Sequence, residues 1–150
     1  GQVRRDPFAM LPFIGYHAGD YVNHWLEIGR KGDPARLPKI FAVNWFRKGA
    51  DGHFLWPGFG DNSRVLKWIV ERCDGTVGAN ETAIGYLPKA EDLYLDGLDL
   101  PQEDLDALTT VEHDAWKTEL EAIRQHFDSY GPKMPKELYA QLDAVEERLG

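Results

Sequence analysis

Between Phe54 and Gly60 the chain reads Phe-Leu-Trp-Pro-Gly-Phe-Gly, a run that excludes both a continuous helix and a continuous strand. Pro57 withholds a backbone donor, while Gly58 and Gly60 permit positive φ and close approach of the backbone to another group. Regular structure therefore has to stop by Trp56 and start afresh beyond Gly60. On the near side, residues 39–46 (Lys-Ile-Phe-Ala-Val-Asn-Trp-Phe) are rich in β-formers and follow Pro38, so a buried strand is expected there. Lys48-Gly-Ala-Asp-Gly52 is a turn signal that should join it to a short second strand, His53 to Trp56, as a hairpin. On the far side, Asp61 or Asn62 is expected to cap a helix running to about Cys73. Its apolar set is Val65, Leu66, Trp68, Ile69, Val70 and Cys73, and Gly75 is its expected stop.

The flanks read more simply. Residues 1–18 contain Pro7, Pro12 and Gly15 and read as a loop with one helical turn. Asp20 is expected to cap a helix carrying Tyr21, Val22, Trp25, Leu26 and Ile28, ended by Gly29, Gly32 and Pro34. The stretch 76–100 is irregular, with a short strand near Ile84–Leu87. Pro101 suits the start of a short helix. Thr109 and Glu112 have capping-box spacing before a long helix to about Tyr130. Pro135 opens a last helix on which Leu138, Leu142, Val145 and Leu149 make one apolar seam. The expected fold class is mixed α/β (α+β): a short hairpin and strands packed with helices, and a helical, acidic C-terminal half. At 150 residues the chain suits one domain or a segment of a larger one, and its start at Gly1 reads as processing or a fragment.

Charge divides the chain. Residues 1–75 hold eleven Lys and Arg against eight Asp and Glu, and residues 76–150 hold six against seventeen, within a net charge of −8. The acidic half would repel a polyanion, which argues against nucleic-acid binding; the mildly basic half can still meet one small anion, such as a nucleotide phosphate. No apolar run is long enough for a membrane helix. The single cysteine, Cys73, excludes an intramolecular disulfide framework and a multi-thiolate zinc site, and a reducing, cytoplasmic setting fits best.

Catalytic groups are sparse. His24, His53, His113 and His126 have no carboxylate partner at ligand or triad spacing and read as surface or packed residues. His17 lies in the loop Gly15-Tyr-His-Ala-Gly19, and Cys73 falls on the apolar helix face and reads as core. No Walker loop, zincin motif or Gly-x-Ser-x-Gly is present. One constellation stands out: Trp45, Phe46, Phe54, Trp56 and Phe59 fall within fifteen residues, with Asp61, Asn62 and Ser63 directly behind. A planar base needs aromatic faces and a few edge-reading polar groups. The competing reading makes these rings the core of a hairpin packed on a helix. Phe59 fits that second reading least, because a Gly-Phe-Gly loop is a poor anchor for core.

Several stretches resemble the carboxyl-terminal part of GTP-dependent phosphoenolpyruvate carboxykinase. They are Asp6-Pro-Phe-Ala-Met10, Pro12-Phe13, Gly15-Tyr16, Pro38-Lys-Ile-Phe41, Val43-Asn-Trp-Phe-Arg-Lys48, Phe54 to Gly60, Asn62-Ser-Arg-Val-Leu66, Ile84-Gly-Tyr86 and Pro88-Lys89. The resemblance covers essentially the whole chain and about the last quarter of the family's length. It implies part of the nucleotide-binding C-terminal domain, with residues 1–75 as the guanine-pocket part and 76–150 as a helical tail. It also implies an enzyme, a lyase of gluconeogenesis that converts oxaloacetate and GTP to phosphoenolpyruvate, GDP and CO2. By resemblance, guanine lies between Phe46 and Phe59, Phe54 is a third ring, and Asn62 reads the base edge with help from the backbone of Phe59, Gly60, Asp61 and Asn62. Guanine pairs an O6 acceptor with N1–H and N2–H donors, and adenine reverses the polarity at position 6. Buried readers would then go unpaired, at about 1–3 kcal/mol each.

The same resemblance places the phosphate-binding loop, the manganese ligands, a second divalent metal (Mg2+ or Mn2+), the oxaloacetate-binding arginines and the reactive cysteine upstream of this segment. No catalytic or metal residue maps onto it, and Cys73 is not that cysteine. Gly1 to Arg5 matches the closing edge of a mobile lid, with Arg4 and Arg5 in a variable stretch. Asp61 stands where glutamate is common, and His17 where asparagine is usual. The fragment alone is expected to be inactive. The alternative is a stand-alone nucleotide-binding or structural module without catalysis, which guanosine binding and the sequence upstream of Gly1 would discriminate. The expected partners are GTP or GDP, and oxaloacetate or phosphoenolpyruvate through the rest of the enzyme, with no nucleic acid and no membrane.

Overall fold

A computed structural model describes Arg5, Asp6 and residues 10–150. The resemblance at Gly1 to Arg4 and at residues 7–9 lies outside the described residues. Among the described residues, five α-helices and one two-stranded antiparallel sheet give a mixed α/β structure in two compact units. One unit comprises residues 1–38 and 112–150, the other residues 39–111.

The first unit holds α1 (Ala18–Lys31), α4 (His113–Asp128) and α5 (Lys136–Leu149). A 3-10 turn at Leu11–Phe13 precedes α1, as the proline-rich start implies; the Asp6 carboxylate accepts from the N–H groups of Met10 and Leu11. The cap of α1 is not Asp20. His17 takes that position, its Nδ1 accepting from Gly19 N–H at 3.0 Å, while Asp20 sits inside the first turn and accepts from Lys133 Nζ at 2.7 Å. An imidazole nitrogen can fill the acceptor role that short polar side chains usually play at a helix start. Gly29 lies within α1 and the helix ends at Gly32. Gly19 is buried because the backbone at Lys133 lies against it: a Cβ there would stand 2.5 Å from the Lys133 carbonyl oxygen.

Helices α4 and α5 pack together. Leu120 from one and Leu142 and Leu149 from the other are buried, with Met134 in the connection. Each such side chain contributes about 1.5–3 kcal/mol by leaving water. Leu138 and Val145 are half-buried, so the expected seam is present. Arg124 bridges to Asp143 at 2.7 Å and Glu146 at 3.4 Å, and the start of α4 holds the end of α5 through His113 Nδ1 to Leu149 O and Lys117 Nζ to Gly150 O. The Thr109–Glu112 capping box does not form. Thr109 is already the last residue of α3 (Gln102–Thr109), its hydroxyl bonded back to Leu105 O, and Glu112 makes no side-chain cap bond. Pro135 opens α5 as expected.

The second unit contains α2 (Asn62–Asp74), β1 (Asn80–Thr82), β2 (Gly85–Leu87) and α3. Strands β1 and β2 pair with Asn80 opposite Leu87 and Thr82 opposite Gly85, which places the short expected strand in a hairpin. The expected buried strand over 39–46 is not formed. That segment is irregular and unpaired among the described residues, Ile40 and Phe46 are exposed, and Asn44 Oδ1 turns the chain by accepting from Phe46 N–H. β-forming side chains favour a pleated surface only where a neighbour supplies the pairing and the cover. The turn at 48–52 does reverse the chain, through Gly49 N–H to His53 O, Leu55 N–H to Arg47 O and one isolated bridge between Lys48 and Phe54.

Leu55, Trp56, Trp68 and Leu105 form this unit's buried apolar set, and Phe41 meets Trp68 edge-on at 6.1 Å. Of the apolar set expected on α2 only Trp68 is buried; Leu66, Val70 and Cys73 are exposed, so Cys73 is not core. Gly75 ends α2 in the left-handed conformation, φ +75°, with Thr76 N–H returning to Glu71 O. Among the described residues no helix is long and apolar enough to cross a membrane.

Candidate functional site

The aromatic cluster lies wholly within the second unit, and its rings divide into two kinds. Trp56 is core and Trp45 half-buried, while Phe46 is 74%, Phe54 53% and Phe59 97% exposed. The reading of the cluster as hairpin core thus holds for Trp56 and fails for the three phenylalanines. Phe46 and Phe54 stand edge to face, ring centres 6.1 Å apart at 64°, and Lys48 Nζ lies 5.0 Å over the Phe54 ring. The hairpin explains the pairing: the Lys48–Phe54 bridge sets the two arms opposite each other.

Phe59 follows from the loop chemistry. Gly58 has φ +81° and Phe59 itself φ +47°, the one non-glycine residue with positive φ among the described residues. That conformation costs a bulky L-residue about 1–2 kcal/mol. A ring held at such a cost and left in solvent adds nothing to the described core.

A 3-10 turn at Phe59–Asp61 runs directly into α2. Neither Asp61 nor Asn62 caps that helix with its side chain. Asp61 Oδ1 accepts from Arg64 Nε at 2.9 Å, and Arg64 continues to the carbonyls of Tyr94 and Asp96 at 2.7 and 3.1 Å. Asn62 Oδ1 accepts from the buried Trp56 Nε1 at 3.1 Å. An amide whose oxygen is committed presents its NH2 elsewhere, here as a donor. The Gly60 carbonyl accepts from Ser63 Oγ at 2.6 Å, and the Asp61 N–H is engaged by Gly58 O at 3.1 Å. Backbone and side chains from Gly58 to Arg64 thus form one hydrogen-bonded loop with a phenyl ring and an amide donor on it.

Sequence spacing missed one group of residues. His53 does have carboxylate partners. Its Nδ1 faces Asp51 Oδ1, and its Nε2 lies 3.0 and 3.1 Å from the two oxygens of Asp104 on α3. The two carboxylates raise the His53 pKa above its ordinary value of 6.5, the Asp51 hydrogen bond being the larger cause, then that of Asp104. In return the His53 N–H and ring lower Asp51 below its ordinary 3.8. The Asp51-x-His53 spacing carried a local signal, an Asx turn in which Asp51 Oδ1 also accepts His53 N–H. Asp104, fifty-one residues away, carried none. Arg47, at the other end of the hairpin, donates to Leu108 O and Thr110 O at 3.4–3.5 Å. Among the described residues no cluster of three His, Cys, Asp or Glu side chains is placed to hold a metal ion.

The family described as phosphoenolpyruvate carboxykinase C-terminal P-loop domain matches residues 1–148. The chain is 54% identical over 150 residues to a protein of Renibacterium salmoninarum, covering all of this chain and 25% of that one. It is 57% identical to one of Neocallimastix frontalis and 52% identical to one of Corynebacterium glutamicum, covering 99% of this chain and 24% of each relative. All three are named phosphoenolpyruvate carboxykinase [GTP]. The chain spans about a quarter of the length of these relatives. It belongs to the GTP-dependent phosphoenolpyruvate carboxykinase family, as part of the C-terminal domain.

Proposed function

We propose that this chain is the guanine-binding section of an enzyme that converts oxaloacetate and GTP to phosphoenolpyruvate, GDP and CO2. The observation that carries the reading is the placement of Phe59, an almost fully exposed ring on a left-handed residue beside an amide oriented by a buried indole. Guanine stacks between Phe46 and Phe59, with Phe54 as a third wall. The Asn62 NH2 donates to O6, and the loop from Phe59 to Asn62 completes the edge. Each stacking face is worth about 1–3 kcal/mol. The base is thereby oriented, so that the triphosphate projects away from the loop toward the groups that act on it.

Those groups belong to the rest of the enzyme. As the family resemblance implies, phosphate, Mn2+, the nucleotide's own divalent metal and oxaloacetate are held by other segments. The enzyme works in the cytoplasm, in gluconeogenesis, and binds neither nucleic acid nor membrane. Steady-state rates of the full-length enzyme with GTP and with ATP test the assignment. A strong preference for GTP is expected, and equal efficiency overturns it. The isolated 150 residues, assayed with GTP and manganese, are expected to give no product; sustained turnover would overturn the division of labour.

A further inference from the structure

The hairpin that carries Phe46 and Phe54 is fastened to α3 at two points. Arg47 donates to Leu108 O and Thr110 O at the C-terminal end, where a cation also suits the helix dipole. His53 meets Asp104 in the first turn. Asp104 is only 7% exposed, and His53 is the partner of its carboxylate. The ring of His53 faces an acceptor on each side, Asp51 and Asp104, the two charged groups that act on it. A neutral imidazole has one N–H and can serve one of them. Only the imidazolium donates to both. Once the proton leaves, a ring lone pair faces a carboxylate, and one of the two fastenings of the hairpin is weakened. Phe54 is the next residue in the chain.

We infer that His53 is a positioning residue for the nucleotide pocket: as an imidazolium bridging Asp51 and Asp104 it clamps the Phe46–Phe54 hairpin onto α3, and guanine-nucleotide affinity falls as that proton is lost. The inference rests on the reading of Phe54 as a wall of the guanine pocket. The carboxylates hold the ring protonated above the ordinary histidine range, which puts the release of the clamp on the alkaline side of about pH 6.5.

The test is GDP affinity of the full-length enzyme, by calorimetry, between about pH 6 and about pH 9. Wild type is compared with His53→Gln, His53→Arg and Phe54→Ala. Taking affinities relative to wild type at each pH cancels the titration of the phosphates and of other groups. His53→Gln is expected to bind about two- to fivefold more weakly at the acid end and to match wild type at the alkaline end. His53→Arg keeps a permanent cation, so it should bind like wild type in acid and more tightly than wild type in alkali. A His53→Gln ratio that does not change with pH overturns the clamp, as does a His53→Arg variant that behaves like His53→Gln. Should His53→Gln fail to fold, the comparison of His53→Arg with wild type decides alone. Phe54→Ala separates the premise from the inference: weakened GDP binding is expected. Unchanged binding overturns the pocket reading and the clamp with it, whereas weakened binding with silent His53 variants overturns the clamp only.

Discussion

Trp56 donates its indole N–H to the side-chain oxygen of Asn62 at 3.1 Å, joining a buried ring of the hairpin to the first residue of α2. The bond fixes which end of the amide is available, and an amide that turned over would lose both the bond and its polarity toward a ligand. Asn62→Ala in the full-length enzyme should therefore weaken GDP by about 1–3 kcal/mol while leaving ADP nearly unchanged, narrowing the gap between the two bases. Trp56→Phe keeps most of the core but frees the amide, and should narrow the same gap by about 1 kcal/mol. Paired GDP and ADP titrations check both. Asn62→Ala with full selectivity would remove Asn62 from the edge-reading role.

Phe59→Ala should separate binding from folding. The ring buries nothing among the described residues, so the unfolding midpoint should stay within about 0.5 kcal/mol of wild type. GTP and ATP binding should both fall, by about 1–3 kcal/mol for GTP, because stacking does not discriminate between bases. Denaturant unfolding and nucleotide titration on the same preparation are the measurements. A large stability loss with intact binding would return Phe59 to the core.

The His53 bridge also makes stability depend on pH with a definite sign. Its folded pKa lies above the unfolded value of 6.5, so its stabilisation is complete below about pH 6.5 and is lost as pH rises through the folded pKa. Asp51 works the other way: its folded pKa lies below 3.8, so its contribution is present above about pH 3.8 and is lost as pH falls through the folded value. His53→Gln should flatten the alkaline slope of unfolding free energy against pH. An unchanged slope would show that the bridge does not titrate with folding.

Two glycines of α1 should respond oppositely to alanine. At Gly19 a Cβ would stand 2.5 Å from the Lys133 carbonyl oxygen, and backbone cannot yield as a side chain does, so Gly19→Ala should cost about 1–3 kcal/mol. At Gly29, inside the same helix, nothing lies within 4 Å, and Gly29→Ala should gain about 0.5–1 kcal/mol. Thermal unfolding of the two variants decides it, and equal effects would contradict the close approach at Lys133.

What was legible in the sequence was local. Gly75 stopping α2, Pro135 opening α5 and the Leu138–Leu149 seam rest on residues within a few turns of each other. The misreadings had distant causes. Residues 39–46 carry β-forming side chains, but a strand is defined by its neighbour and none lies beside them among the described residues. Asp20 offered the better cap by residue type, yet Lys133, over a hundred residues on, engages it and His17 caps instead. Of the candidate site, the rings and Asn62 were legible as a cluster of types. The orientation of Asn62 and the partners of His53 were not, because Trp56 and Asp104 reach them through the fold.

The two fastenings of the hairpin make α3 a gauge. Asp104 and Leu108 are four residues apart, about 6 Å of helix rise, and the spacing between His53 and Arg47 has to match it. One residue inserted between Asp104 and Leu108 would turn one contact about 100° away from the other, so the hairpin could keep either grip but not both. The length of a short helix thus becomes part of what sets the placement of the Phe46–Phe54 hairpin. Natural variation in this region should therefore tolerate exchanges of side chain on the outer face of α3 far better than changes in its residue count.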